Sequence, residues 1–143
     1  MLNLSVESEI LHVVRTAFCD TFFWFDKDDP LVVEQHARQV YLFYSCLRAS
    51  RGDQSTTFLE CRFNLDASEV WIGRLQVSSV FRSQGLGREL VLAAERISTL
   101  MEMREINIFP LVAAVDFWRK MGYTWKLRTA RVLCKKVVRF EAD

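Results

Sequence analysis

Between Phe81 and Leu90 the chain reads FRSQGLGREL, after the alternating stretch WIGRLQVSSV and before a pattern of helical period. Glycines let backbone approach a ligand closely and tolerate positive φ. The first N–H groups of a helix lack partners within it and carry partial positive charge. The segment is therefore a candidate anion cradle, with Arg82 and Arg88 adding charge. A plain glycine turn joining strand to helix would look the same, and the motif alone does not choose between them. A nucleotide-hydrolase loop is excluded, because Gly87 is followed by Arg88 rather than by lysine and Ser or Thr. A dinucleotide fingerprint needs a third glycine and a parallel unit ahead of it, and here antiparallel strands precede.

Other chemistry-bearing residues are scattered. Cys19, Cys46, Cys61 and Cys134 lie far apart with no CxxC pair, which reads as buried free thiols and gives no metal site. His12 and His36 have no partnering Ser or Cys pattern, so a hydrolytic triad is unsupported. Arg51-Gly52-Asp53 reads as a turn.

Around the glycine pair the elements follow from periodicity. MLNL suggests a short strand. From Ser5 a helix is expected, with Ile10, Val13, Val14, Ala17 and Phe18 on one face and Ser5 or Ser8 as its cap. Asp29-Pro30 reads as a helix-start pair, which predicts a second helix from about Pro30 towards Arg38. QVYLFYSCLR, TTFLECRFNL and Glu69 to Val77 read as three antiparallel strands. Leu86, Leu90, Ala93, Ala94, Ile97 and Met101 keep helical spacing. REINIF is a strand parallel to the one before that helix, LVAAVDFWRKMG a helix capped by Gly122, and TWKLR with ARVLCKKVVRF a hairpin. The expected order is β-α-α-β-β-β-α-β-α-β-β: a single α/β (α+β) domain over residues 1–143, with a mixed, mostly antiparallel sheet flanked by helices.

The 143 residues, half of them hydrophobic with net charge +1, suit one soluble domain and not a dedicated nucleic-acid binder. No membrane partner is expected from them. Glutamates stand where a signal peptide would be basic, which points to the cytoplasm. Charge is uneven, −5 over Met1 to His36 and +6 over Phe117 to Asp143. Differently solvated faces account for this, as would an acidic lobe drawing a cation and a basic one holding an anion.

Arg82-Ser83-Gln84-Gly85-Leu86-Gly87 resembles the Q/R-x-x-G-x-G/A motif of the GNAT superfamily of acyl-CoA-dependent N-acyltransferases. About thirty residues on, Ala114-Val-Asp-Phe-Trp-Arg-Lys-Met-Gly-Tyr123 is similar to that family's A-x-x-F-Y-x-K-x-G-F, and the element order matches across the chain. The resemblance implies an N-acetyltransferase that uses acetyl-CoA as co-substrate, with direct attack of an amine and no metal. Its pyrophosphate would lie on Arg82, Ser83, Gln84, Gly85, Leu86, Gly87 and Arg88. The pantetheine arm would pair with Leu75, Gln76, Val77, Ser78 and Ser79, the Val77 N–H polarising the thioester carbonyl, and Phe117, Trp118 and Lys120 would complete the cofactor site.

Three departures from the family pattern bear on catalysis. Trp118 occupies the position of the usual acid tyrosine, leaving Tyr123 as the hydroxyl candidate, with core packing as its other reading. Leu111 stands where an asparagine often contacts the cofactor. Trp71 takes the place of the usual base, so Glu69, two residues earlier on the same face, becomes the base candidate, or else a solvated turn residue. The resemblance also implies an acceptor site involving FFWFDKDDP. There Phe22, Phe23, Trp24 and Phe25 with Asp26, Asp28 and Asp29 would suit a cationic amine, small molecule or peptide, or would simply be core and solvated loop. Pairing of two copies through ARVLCKKVVRF is possible. The alternative function is an acyl-CoA-binding sensor or interaction module of the same fold with little or no catalysis.

Overall fold

In QVYLFYSCLR alternate residues fall on opposite faces of a strand, and the burial follows suit. Val40, Leu42, Tyr44 and Cys46 are buried, whereas Tyr41, Phe43 and Ser45 stand on the other face. The same alternation runs through the neighbouring strands and divides the sheet into a core face and an open face. The computed structural model describes residues 7–51, 55–127 and 131–138. Strands β1 (Leu31–His36), β2 (Gln39–Arg51), β3 (Ser55–Asn64) and β4 (Glu69–Gln76) pair antiparallel in succession. β5 (Glu105–Ile108) lies parallel to β4, β7 (Leu133–Lys136) antiparallel to β5, and β6 (Thr124–Trp125) antiparallel to β7 at the edge. The sheet order is β1-β2-β3-β4-β5-β7-β6.

Helices α1 (Glu7–Thr21) and α2 (Leu86–Leu100) pack against each other and share one core with the buried face of the sheet. The apolar stripe expected on α1, Ile10, Val13, Val14, Ala17 and Phe18, is the buried one, and so is the stripe on α2. A short helix, α3 (Val115–Lys120), follows β5 and ends at Gly122, whose φ of +95° suits a residue without a side chain. The mixed, mostly antiparallel architecture is the expected one.

One element differs. The segment after Pro30 is not a helix but β1, the edge strand of the sheet. Val32 and Val33 are β-branched, and burial along LVVEQH alternates with period two. Asp29 does not cap a helix there. Its buried carboxylate accepts from Tyr44 Oη at 2.5 Å, from Leu47 N at 3.1 Å and from Asp26 N at 3.0 Å, anchoring the loop to β2. His36 accordingly sits on β1. The MLNL strand and the Arg-Gly-Asp turn at its Gly52 and Asp53 fall outside the described residues. Of the four free cysteines, Cys46 and Cys61 are buried and Cys134 half-buried, while Cys19 is at the surface, against the expectation of four buried thiols.

β3 and β4 do not pair evenly. Glu60 faces Arg74 and Cys61 faces Ile72, so Gly73 is an extra residue on β4, a β-bulge. The bulge falls just where β4 leaves β5.

Candidate functional site

The β4–β5 ladder runs from Glu69↔Glu105 to Ile72↔Ile108 and stops. β4 continues, held on its other side by β3 as far as Gln76. The chain after β5 departs through Phe109, Pro110 and Leu111, and Pro110 has no N–H with which to extend a ladder. Between the parted segments opens a cleft of about 540 Å³. Gly73 to Val77 line one side; Ile108 to Leu111, Ala114, Phe117 and Trp118 line the other, with Arg82 and Gly87. The β4 edge facing this cleft presents backbone groups that β5 no longer satisfies.

At the Val77 end of the cleft stands the start of α2. Gly85 is its N-cap at φ +78°, with no side-chain cap, and the first bond within the helix is Glu89 N to Gly85 O at 3.0 Å. The N–H groups of Leu86, Gly87 and Arg88 precede that bond, so the helix itself supplies them no acceptor. A side chain on Gly87 would lie 3.5 Å from the Phe117 ring and 3.6 Å from Val77 Cγ2, so this glycine keeps the space between them open. Ser83 also has positive φ, and Ser83, Gln84 and Arg88 are exposed around the turn. Arg82 Nε approaches Val77 O at 3.4 Å. Ser78 is buried, its N–H donating to Thr57 Oγ1 at 2.9 Å, and Ser79 begins a short 3₁₀ turn.

The remaining site candidates divide. Phe117 and Trp118 line the cleft, Trp118 being 3% exposed and edge-on to both Phe117 and Tyr123; Leu111, 79% exposed, lines it too. Lys120 is exposed on α3 and is not among the lining residues. Tyr123 is 1% exposed, and its hydroxyl donates to Glu95 Oε2 at 3.1 Å, behind Trp118 and outside the cleft lining. Burial and the Glu95 carboxylate hold its pKa well above the ordinary tyrosine range, which makes it a poorer acid. Glu69 lies at the start of β4, 3.7 Å from Arg104 Nη2, four residues before Gly73 and so about 13 Å from the cleft.

A second cavity, about 760 Å³, lies on the open face of the sheet. It shares Gly73 and Phe109 with the first, so the two meet at the bulge. Its walls are aromatic: Trp71 stacks on Phe109 at 5.1 Å, with Tyr41 and Phe43 beside them. It also holds Glu34, Glu60 and Arg62. Glu34 is engaged by His36 Nε2 at 3.4 Å, but no ion pair among the described residues includes Glu60 or Arg62. These two were missed in the sequence. The signal for them was the alternation of β3, which puts residues 60 and 62 on the face opposite Leu59, Cys61 and Phe63.

The loop expected to hold a cationic acceptor is mostly structural. Phe22 is buried, Phe25 stacks on Phe18 at 5.6 Å, and Trp24 meets Phe81 and the Arg48 guanidinium. Asp26 and Asp29 accept backbone N–H groups of the loop and of β2, while Phe23 and Asp28 are exposed. Among the described residues no cluster of three or more His, Cys, Asp or Glu is placed to hold a metal, and no helix is long and apolar enough to cross a membrane.

Residues 11–123 match the model of the acetyltransferase (GNAT) family. No curated protein matches the chain. Among solved structures, the chain resembles Tetrahymena GCN5 at a TM-score of 0.57 and 9% identity, covering 96% of this chain and 93% of that one. It also resembles the PaiA N-acetyltransferase of Thermoplasma acidophilum, solved with coenzyme A, at a TM-score of 0.51 and 18% identity, over 69% of this chain. The match spans 61% of that chain. The ribosomal-protein-S18-alanine N-acetyltransferase of Escherichia coli aligns at 0.51 and 13% identity, covering 76% and 75%. At these identities the likeness is one of fold.

Proposed function

Since the chain belongs to the acetyltransferase (GNAT) family, we propose that it transfers an acetyl group from acetyl-CoA to a primary amine by direct attack on the thioester. The observation that carries this reading is the parting of β4 from β5 beyond Ile72 and Ile108, with an uncapped helix start at one end of the gap. The N–H groups of Leu86, Gly87 and Arg88, with Arg82 at the rim, hold the pyrophosphate. The β4 edge from Gly73 to Val77 pairs with the pantetheine amides as a strand would, and Phe117 and Trp118 close over it.

Val77 lies against Gly87, at the pyrophosphate end. The thioester therefore falls deeper, by Gly73 and Phe109, and a β4 N–H near the bulge rather than that of Val77 polarises its carbonyl. Such a donor contributes a few kcal/mol to the transition state. The amine arrives from the open-face cavity, which meets the cleft at that point. Glu60, half-buried in that cavity, takes the proton that a primary ammonium must lose before attack; Glu69 is too far along β4 and occupied by Arg104.

A second reading, a module that binds acyl-CoA with little turnover, draws on one observation. Among the described residues lining the cleft there is no acid to protonate the departing thiolate. Acid assistance contributes about 10²–10⁴-fold, so its lack slows transfer without preventing it. Calorimetric titration with acetyl-CoA, CoA and ATP tests the proposal. Micromolar binding of the two CoA species with little response to ATP is expected, and no binding of either overturns both readings. Release of CoA thiol in the presence of amines then separates enzyme from module.

A further inference from the structure

Glu60 and Arg62 stand two residues apart on one face of β3, so their side chains leave the strand about 7 Å from each other. Both line the open-face cavity, and neither is ion-paired with the other or with any described residue. Glu60 faces Arg74 beside the Gly73 bulge, whereas Arg62 faces Trp71, one step further from the cofactor cleft. Around them are the Trp71–Phe109 stack, Tyr41 and Phe43. The third charged group of the cavity, Glu34, is already engaged by His36.

A half-buried carboxylate and an exposed guanidinium, both without an ion-pair partner among the described residues, can together take opposite charges on one molecule. A simple cationic amine would satisfy Glu60 and leave Arg62 facing its positive charge. A molecule with an ammonium at one end, a carboxylate a few bonds away and an apolar body satisfies all three features. From this juxtaposition we infer that the acceptor is a free amino acid with an apolar or aromatic side chain. Glu60 receives its ammonium, Arg62 its carboxylate, and the aromatic wall its side chain.

The inference rests on the acetyl-transfer reading for the order of the two charges. Glu60, next to the bulge, is the one nearest the thioester, as the reacting nitrogen requires. The ammonium gives one proton to Glu60, the freed amine forms a bond to the acetyl carbon, and the carbon–sulfur bond breaks with its electron pair on sulfur. The second proton of the nitrogen neutralises the thiolate. The balance is N-acetyl amino acid, CoA thiol and one proton passed from Glu60 to solvent.

Binding is tested on the protein alone, so that the outcome does not depend on acetyl-CoA. L-phenylalanine, phenethylamine (no carboxylate) and 3-phenylpropanoate (no amine) are titrated while tryptophan fluorescence is followed, with Trp71→Phe assigning the signal to this cavity. L-phenylalanine is expected to bind saturably and roughly tenfold or more tighter than either fragment. Arg62→Gln should abolish its advantage over phenethylamine, without weakening phenethylamine itself. Glu60→Gln should likewise abolish the advantage over 3-phenylpropanoate. Equal binding of phenylalanine and phenethylamine, insensitivity to Arg62→Gln, or no saturable binding of phenylalanine overturns the inference, whether or not acetyl-CoA binds. If phenylalanine binds as expected and acetyl-CoA does not, the acetyl-transfer reading fails and the amino-acid site stands.

Discussion

Ile72 of β4 and Ile108 of β5 are the last partners of the parallel ladder, and within two residues of them each strand meets a residue that ends the pairing. On β4 it is Gly73, the bulge; after β5 it is Pro110, one residue past Phe109. Two local features, neither of them in the glycine-rich turn, thus make the cleft that the turn serves. They also bring the open-face cavity to the same point, because Gly73 and Phe109 belong to both. A side chain at Gly73 has room, its nearest neighbour being Glu60 O at 3.8 Å, so Gly73→Val is expected to fold. It would stand a branched group at the junction and lower the transfer rate, which CoA-thiol release measures against an unchanged melting profile.

The two glycines of the turn should respond oppositely. Gly85 has open space around it but φ of +78°, so Gly85→Ala is strained without clash and should destabilise by about 1–2 kcal/mol. Gly87 is inside α2 with ordinary room for a methyl group against Phe117 and Val77. Gly87→Ala should therefore gain about 0.5–1 kcal/mol from helix propensity while weakening acetyl-CoA binding by narrowing the cleft. Thermal unfolding and calorimetry on the two variants read both quantities.

Tyr123→Phe removes the hydroxyl bonded to Glu95, whose other oxygen keeps Lys135 Nζ at 3.0 Å. A loss of about 1 kcal/mol in stability is expected, with kcat changed less than twofold. A drop of about a hundredfold in kcat, with folding intact, would instead return Tyr123 to the role of acid.

What the sequence disclosed and what it withheld have physical causes. Helical stripes such as Ile10 to Phe18, and the alternation of β2 and β3, are local patterns, and they located the core faces correctly. Asp29-Pro30 was misleading because a cap is only one use of a buried aspartate. Here Tyr44 and Leu47, both distant in sequence, claim its oxygens. The glycine turn and the A-x-x-F motif were legible as short strings, and Gly87 against Phe117 and Val77 is where they meet. Glu60 and Arg62 carried no motif. Their significance lies in being unpaired beside a bulge on the next strand, a relation that exists only once β3 and β4 are in register.

Acid stability should depend on Glu105. Burial alone would raise its pKa, but hydrogen bonds and charge from Lys126 Nζ at 2.6 Å and Lys136 Nζ at 3.2 Å outweigh this and hold it below the ordinary carboxylate range. A carboxyl with a depressed folded-state pKa contributes stability above its unfolded pKa and loses it as pH falls through the folded one. Melting temperature should therefore decline on acidification from about pH 4.3 downward, and Glu105→Gln should flatten that decline while lowering stability at pH 7. Lys126 has the reverse sign: its pKa is raised by Glu105, so its contribution persists to high pH and fades only as the lysine deprotonates. Lys126→Met leaves Asn107 Oδ1 and Glu105 short of a donor, and should destabilise by roughly 1–3 kcal/mol.

The two glutamates offered as base give the sharpest contrast. Glu69 is tied to Arg104 at the far end of β4, so Glu69→Gln should change kcat/KM less than twofold. Glu60 borders the junction of the two cavities, and Glu60→Gln should lower kcat by about 10²–10⁴-fold. Side-by-side kinetics of the two variants, with melting profiles matched to wild type, decide between them. A kcat held near wild type in Glu60→Gln and lost in Glu69→Gln would reverse the assignment.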